Sequence, residues 1–143
     1  MTMGELQRFV TAQDSDGTYE RAMAELAAGR KESHWMWFVF PQLAGLGRSP
    51  TAQRYAVMST AEAGAYLRHP VLGPRLVAAA QILLSLSGTN ADRVFGSVDA
   101  QKLRSSMTLF SRADPEQHVF AQVLEQYFDG LPDPLTDRLL RAQ

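Results

Sequence analysis

Residues 31–49 read KESHWMWFVFPQLAGLGRS, and whether WMWFVF at 35–40 is strand or helix decides the fold class. Its aromatics and valine favour a strand. A strand needs a neighbour to pair its backbone donors and acceptors, however, and no other segment alternates apolar and polar residues with period two. The stretch is therefore read as a short helix capped by Ser33 and running to about Val39, because Pro41 disfavours helical geometry at Phe40. A turn at Gly45-Leu46-Gly47 follows.

Outward from that stretch the signals are helical. Downstream, Ser49-Pro50 places proline at the first position of a short helix from Thr51 to Met58 that carries Tyr55. Ser59-Thr60-Ala61-Glu62 matches a capping box, and the helix it opens runs to His69-Pro70. Leu72, Leu76, Ala79, Ala80 and Leu83 share one helical face, and Ile82, Leu84 and Leu86 extend the apolar surface, so this helix is expected at the centre. Asn90 caps a single turn ended by Gly96, and Ser97 opens a longer helix with Ala100, Leu103, Met107 and Phe110 inward. Asp114-Pro115 and Asp133-Pro134 each read as a cap followed by proline.

Upstream, Leu6, Phe9 and Val10 give a first short helix closed by a turn at Gln13 to Gly17. Asp16 then caps a second, with a stripe of Tyr19, Ala22, Met23, Leu26 and Ala27 ending at Gly29. The sum is a single compact all-α domain over residues 1–143 with seven to nine helices and no repeats or linkers.

Composition narrows the function classes. A net charge of −1 without a Lys/Arg run leaves no strong nucleic-acid footprint. With no cysteine, disulfides, Cys-ligated zinc and a thiol nucleophile are excluded, and the cytoplasm is the expected compartment. The N-terminal MTMGELQRF lacks the pattern of an export signal, and the run Leu76 to Leu86 is too short to span a bilayer, so no membrane association is expected. No HExxH and no histidine pair at i, i+4 occurs, so neither a metal nor a cofactor is expected.

Candidate site residues concentrate in the opening stretch, which holds both tryptophans of the chain. Trp35 and Trp37 interleave with His34, Gln42, Arg48 and Ser49, an arrangement in which a planar ligand stacks on an indole and is hydrogen-bonded at its edge. The competing reading makes the aromatics plain core. Tyr55 is expected beside them, with Trp35 or Trp37 partly exposed in a concavity lined by His34, Gln42 and Tyr55. Asp99, Lys102 and Ser106 line up at i, i+3, i+7, either as a solvated surface pair or facing a pocket, where the lysine holds an anion or assists a leaving group. If that helix docks on the aromatic stretch, the Lys102 ammonium reaches the space of Gln42 and Ser49.

HWMWFVFPQLAGLGRS, YLRHPVLGPRL and VFGSVDAQKLRSSMTLF, in this order, closely resemble the bacterial family numbered 1810 among domains of unknown function, over nearly the whole chain. The resemblance implies a mainly helical fold. Some members carry the label "calpastatin", but such inhibitors are disordered and polar, whereas this chain is 45% hydrophobic. A more distant resemblance is to the YbiA-like, or NADAR, superfamily of N-glycosidases, carried by Met107-Thr108-Leu109-Phe110 and the helix, glycine and aspartate after it. It implies a YbiA-like fold and N-glycosidase-type hydrolysis of a nucleotide or ADP-ribose derivative, with Thr108 among the binding residues and Asp99, Lys102 and His34, taken from the residues themselves, as catalytic candidates. The alternative is a non-catalytic ligand-binding or protein-interaction module. The superfamily's glutamate falls near Pro50 to Val57, where this chain has Thr51, Gln53 and Tyr55 and no acid.

Overall fold

The computed structural model describes residues 3–143, and its regular elements are helices, with no strand among the described residues. Helices α1 (Met3–Asp14) and α2 (Thr18–Ala27) are joined by a 3-10 turn. The one-turn α3 (Met36–Val39) and the short α4 (Pro50–Arg54) follow, then α5 (Thr60–Arg68), α6 (Leu72–Ser85), α7 (Ala91–Ala113), α8 (Val119–Phe128) and α9 (Pro134–Arg141).

The start signals at 49, 59, 90 and 133 act as read. Ser49 Oγ accepts from Ala52 N–H, Ser59 Oγ from Glu62 N–H, Asn90 Oδ1 from Asp92 and Arg93 N–H, and Asp133 Oδ2 from Thr136 N–H. Others differ. Asp16 does not cap α2; it sits in the left-handed region at φ 53°, and Gly17 takes the cap position. Ser33 does not cap α3, because its hydroxyl is drawn to Glu25 and Trp35 stands at the cap. Asp114-Pro115 opens a turn rather than a helix: Asp114 Oδ1 accepts from Glu116 N–H, and α8 begins only after His118. The helix expected up to Met58 stops at Arg54, since Val57 pairs with the aromatic stretch instead. Its N–H donates to Gln42 O, and its carbonyl accepts from Ala44 N–H. α6 starts at Leu72, with His69 Nδ1 accepting the N–H groups of Val71 and Leu72.

The centre is the second half of α7 rather than α6. Residues 105–110 of α7 are all buried, and the helix packs against α5, α8 and α9. α6 buries Leu72, Leu76, Ala79, Ala80 and Leu83 but keeps Gln81 and Ser85 exposed. Hydropathy undervalues α7 because Ser105 and Thr108 look polar, yet each hydroxyl donates to a carbonyl one turn back and so enters the core satisfied. Gly96 breaks α7 near its start with φ 79° and ψ 161°, so the chain re-enters a helix at Ser97 as the sequence signals. Asp99 and Lys102 lie about one and two turns beyond that break.

Candidate functional site

The approach to the aromatic stretch is organised by one carboxylate. Glu25, near the end of α2, accepts from Glu32 N–H (2.7 Å), Ser33 N–H (3.0 Å), Ser33 Oγ (2.5 Å) and the indole Nε1 of Trp35 (2.9 Å). Burial works to raise its pKa, but these donors outweigh it and hold the group down at about 2. Trp35 is thereby wholly buried with its N–H satisfied, and it packs against Phe40 and Phe95. Trp37, two residues on, stays half-buried.

Lys31 ties the stretch to α7. Its backbone N–H donates to Val94 O, and its ammonium donates to Ser33 O at 2.6 Å, lies 2.9 Å from Asp99 Oδ2 and sits 5.0 Å from the centre of the Trp35 ring. On its other side Asp99 faces Lys102 at 3.5 Å, and the Lys102 ammonium lies 5.0 Å from the centre of the Trp37 ring. The cluster is thus one carboxylate between two ammonium groups, each against an indole, with side-chain exposures of 8% for Lys31, 20% for Asp99 and 24% for Lys102. Such a group carries one net positive charge, with Lys102 the more open ammonium for an anion, and the half-buried Trp37 offers a planar ring an aromatic face.

The other candidates fall in several places. Ser106 is fully buried, and its hydroxyl has no partner among the described residues. His34 is exposed on the turn before α3, and Gln42 is half-buried with its carbonyl engaged by Val57. Arg48 is exposed, Ser49 caps α4, and Tyr55 packs on Phe38 and Phe9. Thr108 is buried and accepts from Asp133 N–H at 2.8 Å. Among the described residues, no hydrogen bond, ion pair or ring contact joins Arg48, Ser49, Tyr55 or Thr108 to the Lys31–Asp99–Lys102 cluster. Clefts of about 510 and 650 Å³ flank the loop before α7 and contain none of these candidates. The 510 Å³ cleft is lined by Ser87, Asn90, Arg93 and Tyr127.

Sequence reasoning missed Lys31 and Glu25. Both act through partners outside their own helical turn, and periodicity registers only neighbours within one element. The one local signal for Lys31 was its place at the head of the aromatic run.

The family model described as "Protein of unknown function (DUF1810)" matches residues 3–140. The crystal structure of the conserved hypothetical protein Rv1873 from Mycobacterium tuberculosis is 47% identical to the chain, with a TM-score of 0.93, over 97% of this chain and 98% of that one. No curated protein gives a significant match. With nearly its whole length inside the family model, the chain belongs to the DUF1810 family.

Proposed function

We propose that the chain binds a small nucleotide-like or ribosyl ligand against Trp37 and Lys102. The observation that carries this reading is the placing of the Lys31 and Lys102 ammonium groups on either side of Asp99, with the half-buried indole of Trp37 beside Lys102. A phosphate takes the lysine charge and a base or flavin ring takes the indole face. The cytoplasm is the compartment we propose, because a chain without cysteine is indifferent to a reducing environment.

A second reading makes the protein an N-glycosidase-type hydrolase, in keeping with the distant YbiA-like resemblance. The 3.5 Å contact of Asp99 with Lys102 favours it. Asp99 takes a proton from water as the water oxygen bonds to the anomeric carbon; the carbon–nitrogen bond breaks, and Lys102 protonates the departing base. The proton then returns from Asp99 to Lys102 across their contact. Helix α4, in the region of the superfamily's glutamate, holds Thr51 and Gln53 but no acid, which leaves Asp99 as the carboxylate for this step.

The test is incubation with a panel of ribosyl-linked nucleotides, with products read by mass spectrometry and ligand stabilisation by melting temperature. Released base supports the hydrolase. Stabilisation without release supports the binding protein alone, and neither overturns both.

A further inference from the structure

Helix α9 carries a second surface, independent of the Trp37–Lys102 cluster. Two contiguous grooves of about 480 and 420 Å³ run along it and share Asp137 and Arg141. Arg104 and Arg138 line the first, Arg112 the second. Four guanidinium groups therefore face two nearby carboxylates, an excess of positive charge on a chain whose net charge is −1.

Both carboxylates are already committed. Asp137 accepts both nitrogens of a bidentate contact from Arg112, at 2.9 and 3.0 Å, and that hydrogen bonding holds its pKa below the usual range. Asp133 is buried and receives Gln101 Nε2, Ser105 Oγ and the N–H and hydroxyl of Thr136. Arg104 spends Nε and Nη2 on the carbonyls of Leu131 and Pro132, and Nη1 stays free. Arg138 and Arg141 have no acceptor for their side chains among the described residues. Apolar residues accompany the cations: Leu131, 58% exposed, lines the first groove with Pro132 and Pro134, and Leu135 in the first turn of α9 is 44% exposed.

We infer that this face docks an acidic peptide segment of a partner protein, one that intersperses carboxylates with leucine or phenylalanine. The carboxylates go to Arg104, Arg138 and Arg141, where a planar guanidinium pairs bidentately, and an apolar side chain goes to Leu131 and Leu135. Three features select a peptide. The cations come from two helices, Arg104 and Arg112 from α7 and Arg138 and Arg141 from α9, and line two contiguous grooves, more than a single phosphate fills. The exposed leucines offer a polyphosphate nothing. No aromatic ring lines the grooves, so a single-stranded nucleic acid finds no stacking platform.

The experiment is fluorescence anisotropy of the full chain with a fluorescein-labelled peptide of alternating Glu and Leu. An all-Glu peptide of equal charge and an oligo-uridylate serve as competitors. The Glu–Leu peptide is expected to bind saturably and to weaken as salt rises. Arg138→Gln with Arg141→Gln should weaken it by about tenfold or more, and Leu131→Ser with Leu135→Ser should weaken it while keeping the salt dependence. Lys102→Met should leave it unchanged. All four substituted α9-face residues are exposed, so the variants fold, which circular dichroism checks. Absence of saturable binding, equal competition by the all-Glu peptide or the oligo-uridylate, or an unchanged affinity in the double arginine variant would overturn the proposal.

Discussion

Glu25 makes the aromatic stretch a defined turn, and it does so as an anion. Its folded pKa of about 2 lies below the ordinary 4.5, so the charged form is the one the fold prefers. A depressed carboxylate contributes stability above its unfolded pKa and loses it as pH falls through the folded value. The parent should therefore lose stability between about pH 4.5 and pH 2, with Asp137, also lowered, adding to the slope. Glu25→Gln should be less stable at neutral pH by about 1 kcal/mol, after discounting for solvent screening, and flatter across that window in thermal melts. An identical pH slope in the variant would mean that the turn is held by something else. Lys102 is the opposite kind of residue, since its stem packs while its charge faces the half-buried Trp37. Lys102→Met should melt like the parent and lose roughly 1–3 kcal/mol in binding an anionic ligand by calorimetry. The Asp99–Lys102 contact was legible because helical spacing alone brings the two side chains together. The enclosure of Trp35 was not, because it depends on Glu25, whose role emerges only once α2 has folded against the turn.

At the scale of elements, caps were readable where a single side chain meets a free N–H nearby, as at Ser49, Ser59, Asn90 and Asp133. The reading failed at Asp114, whose side chain closed a local turn, and it named no partner for the start of α6, where His69 Nδ1 takes the N–H groups of Val71 and Leu72. Gly96 shows what a backbone requirement adds. Its φ 79° and ψ 161° lie in a region essentially closed to residues with a Cβ, although the space around it is open. Gly96→Ala should therefore cost about 1–3 kcal/mol by strain alone, measured by urea denaturation. A neutral substitution would show that the backbone at this break relaxes without strain. Asp133 joins α7 to α9 and caps α9 at once. Asp133→Ala should lose roughly 2–4 kcal/mol, the cap plus the orphaned buried partners.

For the whole molecule, the buried residues form one continuous cluster from Leu6 to Tyr127 that includes Trp35, Phe40, Tyr66 and Phe110. A core shared this widely predicts a single cooperative transition, with tryptophan fluorescence and far-ultraviolet circular dichroism coinciding in denaturant. The helical class followed from the absence of any partner strand, which is a property of the whole sequence. The choice of α7 over α6 as centre did not follow, because Ser105 and Thr108, which satisfy their hydroxyls against their own helix, look polar in a hydropathy pattern.

The central claim is that a ligand lies on Trp37 beside Lys102, and the two indole N–H signals of a ¹H–¹⁵N spectrum report on it most directly. Trp35 is enclosed and bonded to Glu25, whereas Trp37 is half-open. Titration with ADP-ribose should move the Trp37 signal while the Trp35 signal stays nearly fixed, and Lys102→Met should abolish the movement. An unmoved Trp37 signal, with any shifts gathered instead at Asn90, Arg93 and Tyr127 around the 510 Å³ cleft, would contradict the account.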